Sequence, residues 1–262
     1  MRRLSLLLCL PALLAAAQPQ ARDMTLASAD GYVLRGTLTV PAQPGPRPVV
    51  LLAHQFRTDR GGWQPLVDRL NAKGIATLAL DLRGHGQSTL NSGQAVAVTG
   101  DFLDSAKTVG FDRIPGDLLQ AAGWVRRQPG IDPRRLALAG ASMGAFASLL
   151  AAPGVHPVAV LALSPAGKAG FGAAGDGLDA AVGQARAAVL VLAAEDDPEA
   201  AANAGALKGL PGVYARITPG DAHGFAFLAG DADLMAGWLG EYLTQRAPAK
   251  APAKPAQPPA EN

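Results

Sequence analysis

Hydrophobic residues in this chain occur in two repeating arrangements. In the first, apolar residues follow one another without interruption, as in the segment PVVLLAH at residues 48–54. In the second they recur at three- and four-residue spacing, as at Trp63, Leu66, Val67 and Leu70. Uninterrupted runs are typical of strands buried on both faces of a sheet, and the wider spacing is typical of helices with one buried face. The chain is therefore predicted to alternate strands and helices.

This alternation places elements along most of the chain. Residues 24–40 read as a hairpin, because Asp30 and Gly31 suit a turn that needs positive φ. Further strands are predicted at residues 48–54, 75–81, 135–140, 157–163, 187–193 and 212–218. Helices are predicted from Trp63 to near Gly74 and at residues 114–128, 142–152, 199–208 and 231–245. The fold class is α/β, a mostly parallel eight-stranded sheet with an antiparallel N-terminal hairpin and helices on both faces.

Two connections bear on how open the site is, and the first of them could border it. Residues 89–112 read as the longest irregular connection. Residues 164–186 leave room for a short loop and one helix, too little for a large lid. Since ligands of such sheets bind at the carboxyl ends of the strands, functional residues are expected directly after strands.

Both ends of the chain are expected to lie outside the folded domain, which we place at residues 18–246. Residues 1–17 combine two arginines, an apolar run and small residues, the pattern of a cleaved signal peptide. Cleavage would remove Cys9, the only cysteine. We expect a secreted or periplasmic protein with no stable membrane insertion after cleavage; an uncleaved anchor is the weaker alternative. Residues 247–262, rich in Pro, Ala and Lys, are expected to be a disordered tail.

The composition limits the kinds of molecule that the protein is expected to bind. The chain has 262 residues, of which 49% are hydrophobic and 17% charged, with a formal net charge of +2. This is enough chain for one full-sized core. No helix-length basic face appears, which argues against binding of nucleic acid. No metal-ligand cluster or phosphate-binding loop appears either, so we expect a small-molecule substrate and no cofactor or metal. The sequence does not indicate an oligomeric state.

Ser142 is the candidate nucleophile. It lies in GASMG, between a predicted buried strand and an apolar helix. A strand that turns sharply into a helix exposes the turning residue, and Gly140 and Gly144 allow the close approach this needs. The N–H of Met143 at the helix N-terminus favours negative charge nearby. The alternative reading is a small-residue helix cap.

A serine nucleophile needs a base, and the chain has four histidines. His85 lies in a glycine-rich loop, where a structural role is favoured, and His156 lies at the amino end of a strand. His54 follows a strand and could line the site, but it comes too early in the chain for the usual order. His223 lies between the last strand and the last helix, beside Gly224, and is the candidate base.

The base in turn needs a carboxylate that fixes its tautomer. Residues 195–197, Glu-Asp-Asp, follow a predicted buried strand. Asp197 is preferred because Pro198 holds it extended, and Asp196 remains the alternative. The order serine, acid, histidine is that of one hydrolase architecture.

The motifs GASMGA, DLRGHGQS, AEDDP and AHGF, in this order, resemble the α/β-hydrolase superfamily over residues 32–243. The lid-free layout and the segment LSPAG are similar to the dienelactone hydrolase-like group, whose namesakes carry cysteine at the position of Ser142. This resemblance implies an α/β-hydrolase fold and hydrolysis of small esters or lactones.

The resemblance also implies an oxyanion hole formed by the N–H groups of Met143 and Phe56. Gln55 occupies the position where the family has glycine, so it could donate through its side chain or accompany a differently shaped loop. Arg57 could contact a substrate carboxylate, although a loop-stabilising ion pair involving this arginine, Asp59 or Arg60 is favoured.

The predicted activity is that of a secreted serine hydrolase of the carboxylesterase type, acting through an acyl-enzyme. A peptidase or thioesterase would use the same residues. A non-catalytic binding module with the same fold is the alternative from a different class of protein.

Overall fold

A computed structural model describes residues 18–244. Ten strands are present in this range: β1 (Gln20–Ala27), β2 (Val33–Val40), β3 (Arg47–Ala53), β4 (Ala76–Asp81), β5 (Leu90–Asn91), β6 (Gln94–Ala95), β7 (Ile131–Ala141), β8 (Ala159–Leu163), β9 (Ala188–Ala194) and β10 (Val213–Thr218). Eight of them form one sheet in the order β1-β2-β4-β3-β7-β8-β9-β10. The predicted signal peptide at residues 1–17 and the predicted tail at residues 247–262 lie outside the described residues.

The sheet confirms the predicted arrangement. β1 pairs with β2, and β2 with β4, in antiparallel fashion, whereas β4, β3, β7, β8, β9 and β10 pair with their neighbours in parallel. The turn between β1 and β2 contains Gly31 at φ 96°, a conformation that residues with a Cβ seldom adopt. Because these six strands run the same way, their carboxyl ends meet at one edge of the sheet.

Residues 18–244 also contain seven α-helices: α1 (Gln64–Ala72), α2 (Phe102–Val109), α3 (Ile114–Arg126), α4 (Met143–Val155), α5 (Leu178–Ala185), α6 (Pro198–Leu207) and α7 (Leu228–Thr244). The side chains of the central strands alternate between two buried clusters, so that Leu51 and Leu138 belong to one and Leu52 and Ala139 to the other. α3, α4 and α6 pack on the first face, and α1 and α7 on the second. Among the described helices, none is long and apolar enough to cross a membrane.

The segment at residues 89–112 departs from the prediction of an irregular connection. It holds the short β5-β6 hairpin and the helix α2. The Asp101 carboxylate accepts a hydrogen bond from the N–H of Asp104 and caps α2, and Gly110 at φ 79° ends it. Phe102, Ala106 and Val109 form the inward side of this helix and pack against the core. The second connection, residues 164–186, holds a 3-10 segment and α5, which agrees with the absence of a large lid.

Candidate active site

The three residues predicted to carry the chemistry lie at one edge of the sheet. Ser142 follows β7, Asp197 follows β9 and His223 follows β10. All three line a single open cavity of about 540 Å³. The remaining lining residues come from the loop after β3, from α2 and from the segments after β8 and β9: Gln55, Phe56, Phe102, Leu103, Ala166, Gly167, Ala169 and Glu199.

The backbone of Ser142 is strained. Its φ of 53° and ψ of −120° lie in a region that residues other than glycine rarely occupy. Its N–H donates to the carbonyl of Leu163 at 2.8 Å, and its carbonyl accepts from the N–H of Phe146 at 3.0 Å. These bonds to β8 and to α4 hold the turn in place. Strain that the surroundings enforce is typical of functional positions.

The glycines on either side of the serine are required by close packing. A Cβ at Gly140 would lie 2.2 Å from the carbonyl oxygen of Gly144. A Cβ at Gly144 would lie 2.3 Å from the carbonyl oxygen of Ala53, at the end of β3. Backbone atoms cannot move aside as flexible side chains can. The turn therefore brings the start of α4 directly against β3 and places Ser142 above the sheet edge.

Asp197 and His223 form a hydrogen-bonded pair. The distance between Asp197 Oδ2 and His223 Nδ1 is 2.7 Å. The carboxylate is 13% exposed, whereas the imidazole is 41% exposed and faces the cavity. The alternative acid, Asp196, is exposed and does not pair with His223; its N–H donates to the carbonyl of Gly220. Of the two aspartates, the geometry selects Asp197 as the partner of the imidazole.

Two side chains hold the loop that carries His223. Ser164, buried at the end of β8, accepts a hydrogen bond from the N–H of Gly224 at 3.0 Å. Gln55 Oε1 accepts from the N–H of Phe225 at 2.8 Å. Ser164 was not predicted as a site residue, although its position directly after a buried strand indicates the functional edge of the sheet. Gln55 was expected to donate or to reshape its loop, and it accepts instead.

The candidate oxyanion donors are backbone N–H groups free to bind a ligand. Within residues 18–244, the N–H groups of Met143 and Phe56 donate to no other protein group. The carbonyl of Gln55, in the same peptide as the Phe56 N–H, accepts from His54 Nδ1 at 2.7 Å and Thr58 Oγ1 at 2.8 Å. In a trans peptide the C=O and N–H point in opposite directions. Fixing the carbonyl therefore fixes the direction of the Phe56 N–H.

His54 does not line the cavity, contrary to the prediction. Its side chain is fully buried, and Nε2 accepts from the N–H of Leu82 at 2.9 Å. Since Nε2 accepts, Nδ1 carries the proton and donates to Gln55. Burial, together with the neighbouring His85 imidazole, lowers the pKa of His54 to about 3. His54 is a neutral structural residue of the loop.

Arg57 also lies outside the cavity that holds Ser142. It lines a neighbouring cavity of about 540 Å³, together with Asp59 and His85. The ion pair expected in this loop is formed instead by Arg60, whose Nη1 lies 2.6 Å from Asp81 Oδ2. Asp59 caps the following turn by accepting from the N–H of Gly61 at 2.7 Å. In the part of the chain the structure describes, no group of three His, Cys, Asp or Glu side chains is placed to hold a metal ion.

Apolar side chains from α2 form the part of the cavity that sequence reasoning missed. Phe102 packs edge-on against Phe56, with ring centroids 5.2 Å apart, and Leu103 is exposed beside it. Glu199 also lines the cavity, and its Oε1 accepts from the N–H groups of Gly167 and Lys168, each at 2.8 Å. The Phe102 and Leu103 contributions were hidden because the segment that carries them was read as irregular.

The sheet order, the strained serine turn and the acid–histidine pair at one strand edge are those of the α/β-hydrolase fold. Comparison with known proteins confirms the predicted resemblance to this superfamily. The chain matches the serine aminopeptidase family, S33, over residues 44–173. The solved structures that the chain resembles include esterases and a dienelactone hydrolase.

Two solved structures and one sequence illustrate these similarities. An acetyl xylan esterase from Paenibacillus sp. R4 is 18% identical in sequence and superposes with a TM-score of 0.70. The alignment covers 90% of this chain and 87% of the esterase chain. A dienelactone hydrolase from Anabaena variabilis is 22% identical in sequence, with a TM-score of 0.64. This alignment covers 87% of this chain and 100% of the dienelactone hydrolase chain. An uncharacterized protein of Mycobacterium tuberculosis is 27% identical over 147 residues, 56% of this chain and 46% of that protein. The match thus spans about half the length of this relative.

Proposed function

We propose that the protein is a serine hydrolase that cleaves small carboxylic esters or lactones through an acyl-enzyme. One observation carries the proposal: Ser142, held in a strained turn, shares a cavity with the hydrogen-bonded pair of Asp197 and His223. A helix cap would need neither the strain nor the pair. A serine hydroxyl is a weak nucleophile until a base removes its proton, and His223 is the base within the cavity.

The proposed reaction uses each of these groups in turn. Ser142 Oγ attacks the acyl carbon while His223 Nε2 takes the hydroxyl proton, and Asp197 stabilises the imidazolium. The N–H groups of Met143 and Phe56 bind the oxyanion of the tetrahedral intermediate. Collapse breaks the bond to the alcohol, which leaves with the proton from His223. Water, deprotonated by the same imidazole, then attacks the acyl-serine. The bond between the acyl carbon and Ser142 Oγ breaks, Oγ takes the proton back from His223, and the carboxylic acid leaves.

The lining of the cavity supports short acyl chains. Phe56, Phe102 and Leu103 offer an apolar wall, and the cavity is open, with a volume of about 540 Å³. The names of two structural relatives, an acetyl xylan esterase and a dienelactone hydrolase, support substrates with small acyl groups. We expect aryl acetate and butyrate esters to be hydrolysed with higher kcat/KM than esters of long-chain acids. An optimum at long chains would contradict this preference.

Labelling with a fluorophosphonate tests whether the protein is a serine hydrolase. The reagent bonds its phosphorus to an activated serine oxygen and releases fluoride, so the wild type should be labelled and Ser142→Ala should not. Ser148→Ala is the matched control, because Ser148 also lies on α4 and its hydroxyl donates to the carbonyl of Gly144, away from the cavity. An unlabelled wild type would point to the non-catalytic binding module instead.

The match to the serine aminopeptidase family supports a peptidase as the second candidate. The same three residues can attack an amide, and a thioesterase would use them equally. Matched ester, thioester and anilide substrates with one acyl group separate these activities. Our proposal expects the ester to have the highest kcat/KM; faster turnover of an aminoacyl anilide would favour the peptidase.

We also propose that the protein is exported, as residues 1–17 have the composition of a signal peptide. The mature protein would then begin near Gln18. N-terminal sequencing of the protein recovered from the cell envelope or the medium tests this. Recovery of the intact N-terminus from the cytoplasm would contradict export.

A further inference from the structure

Gln55 connects two loops whose relative position matters for the proposed reaction. It lies in the loop after β3, directly before the oxyanion donor Phe56. Its side-chain oxygen accepts from the N–H of Phe225 at 2.8 Å, across 170 residues of sequence. Phe225 is two residues beyond the candidate base, His223. The bond therefore joins the loop of the oxyanion donor to the loop of the base.

The packing around this bond is close enough to fix both loops. Gly224 has a φ of 53°, and a Cβ at this position would lie 2.1 Å from Gln55 Oε1. Glycine is thus the residue that lets the His223 loop approach the Gln55 side chain. From the other side, Ser164 holds the N–H of Gly224. A glycine at position 55, as the superfamily resemblance implies, would leave the Phe225 N–H without this acceptor.

The backbone of Gln55 completes the link. Its carbonyl accepts from His54 and Thr58, and this orients the N–H of Phe56. The two amide groups of this residue therefore do different things: the main-chain amide orients the oxyanion donor, and the side-chain amide holds the base loop.

We propose that Gln55 is a positioning residue that sets the separation between the oxyanion donor Phe56 and the base His223. This rests on the proposed function. Its side-chain oxygen, rather than any contact with substrate, is the group that matters. A displacement of about 1 Å between reacting groups can reduce a rate by about 100-fold, so loss of this bond should lower kcat more than it changes KM.

Two substitutions separate the acceptor from the rest of the side chain. Gln55→Glu keeps an oxygen that accepts from the Phe225 N–H, whereas Gln55→Met keeps the length but has no such acceptor. Gln120→Met is the matched control, because Gln120 is also half-buried but lies on α3, outside the cavity. Each variant is assayed on an aryl acetate at its own pH optimum, so that the added charge of Glu does not mask the comparison.

We expect Gln55→Met to lower kcat about 10- to 100-fold with KM changed less than about threefold, and Gln55→Glu to stay within about fivefold of the wild type. Gln120→Met should leave both constants unchanged. Equal losses in both Gln55 variants, or no loss in Gln55→Met, would overturn the proposal. If Gln55→Met does not fold, Gln55→Ser replaces it, because serine is too short to reach Phe225.

Amide hydrogen exchange gives a readout that does not depend on turnover. The N–H of Phe225 should exchange slowly in the wild type and in Gln55→Glu, and faster in Gln55→Met, while the Gly224 N–H bonded to Ser164 serves as the internal reference. Unchanged exchange at Phe225 in Gln55→Met would show that the bond does not hold the loop. Because exchange is measured without substrate, a wild type that fails to hydrolyse esters leaves this test intact.

Discussion

The carboxylate of Asp197 and the imidazole of His223 are joined by a hydrogen bond of 2.7 Å, although the adjacent residue, Asp196, carries the same side chain. The bond places a proton on His223 Nδ1 and leaves Nε2 free to accept the proton of Ser142. The distinction between the two aspartates arises from their positions at the start of α6. Asp197 is the last residue before this helix, and its side chain is largely shielded from solvent.

Asp197→Asn should lower kcat for an aryl ester by about 1,000- to 10,000-fold, because an amide can donate to Nδ1 and so favour the unproductive tautomer. Asp196→Asn is the paired control and should stay within about threefold of the wild type, since its side chain does not contact the imidazole. Steady-state kinetics on both variants makes the comparison. A larger loss in Asp196→Asn would reassign the acid.

Gly144→Ala should destabilise the fold by more than about 2 kcal/mol, because the added methyl would overlap the carbonyl of Ala53 at the end of β3. Gly205→Ala should have the opposite effect on the free energy of unfolding. Gly205 lies within α6, with no neighbouring atom within 4 Å of the added Cβ, so alanine should stabilise by about 0.5–1 kcal/mol. Urea unfolding of the two variants measures both effects. A tolerated Gly144→Ala would mean that the serine turn is looser than its packing indicates.

The buried His54 makes stability depend on pH. Its pKa is about 3 in the folded protein, below the usual 6.5, because burial disfavours the charged form. Below pH 6.5 the unfolded chain binds a proton that the folded chain does not, so the free energy of unfolding falls as pH falls from 6.5 towards 3. The expected slope is about 1.4 kcal/mol per pH unit for this group. Burial also lowers the pKa of His85, which adds to the slope.

Urea unfolding at a series of pH values between 4.5 and 7, chosen at roughly half-unit steps, tests this linkage. His54→Gln should lower the stability at pH 7 and flatten the pH dependence. His156→Gln is the control, as His156 is exposed at the end of α4, and it should leave the slope unchanged. The same slope in His54→Gln and in the wild type would assign the pH dependence to other groups.

Arg83 forms a buried ion-pair network that should be sensitive to loss of a partner. Its guanidinium lies 2.6 Å from Asp117 and 2.8 Å from Asp30, and is 1% exposed. Asp117→Asn should cost about 3 kcal/mol, because it weakens the compensation of a buried charge. Asp233→Asn, which removes the surface pair with Arg69, should cost less than about 1 kcal/mol. Thermal unfolding of both variants compares the sites, and similar losses would contradict the argument.

Most of the sheet could be predicted from the sequence, because its parallel strands are buried on both faces and read as uninterrupted apolar runs. The run predicted at residues 48–54 is observed as β3, and that at 187–193 as β9. α2 was missed because it spans only eight residues, so its apolar positions at Phe102, Ala106 and Val109 show the helical spacing over just two intervals. Its cap at Asp101 and its end at Gly110 were nevertheless visible in the sequence.

The candidate site was predictable where it depends on chain order and strand ends, which brought Ser142, Asp197 and His223 to one edge. It was not predictable where it depends on which way a side chain turns. His54 ends an apolar run, but its ring turns into the core and bonds to Leu82. The partner of Gln55 lies 170 residues away, and no local pattern identifies it.

Two requirements conflict at Ser142, one set by its backbone conformation and one by the proposed chemistry. The backbone conformation would be most easily adopted by glycine, since a side chain there costs about 1–3 kcal/mol. The proposed chemistry needs the hydroxyl. Selection for heat resistance alone should therefore tend to replace Ser142 with glycine. A library screened without an activity assay should then be enriched in variants that are more stable but have lost the proposed activity.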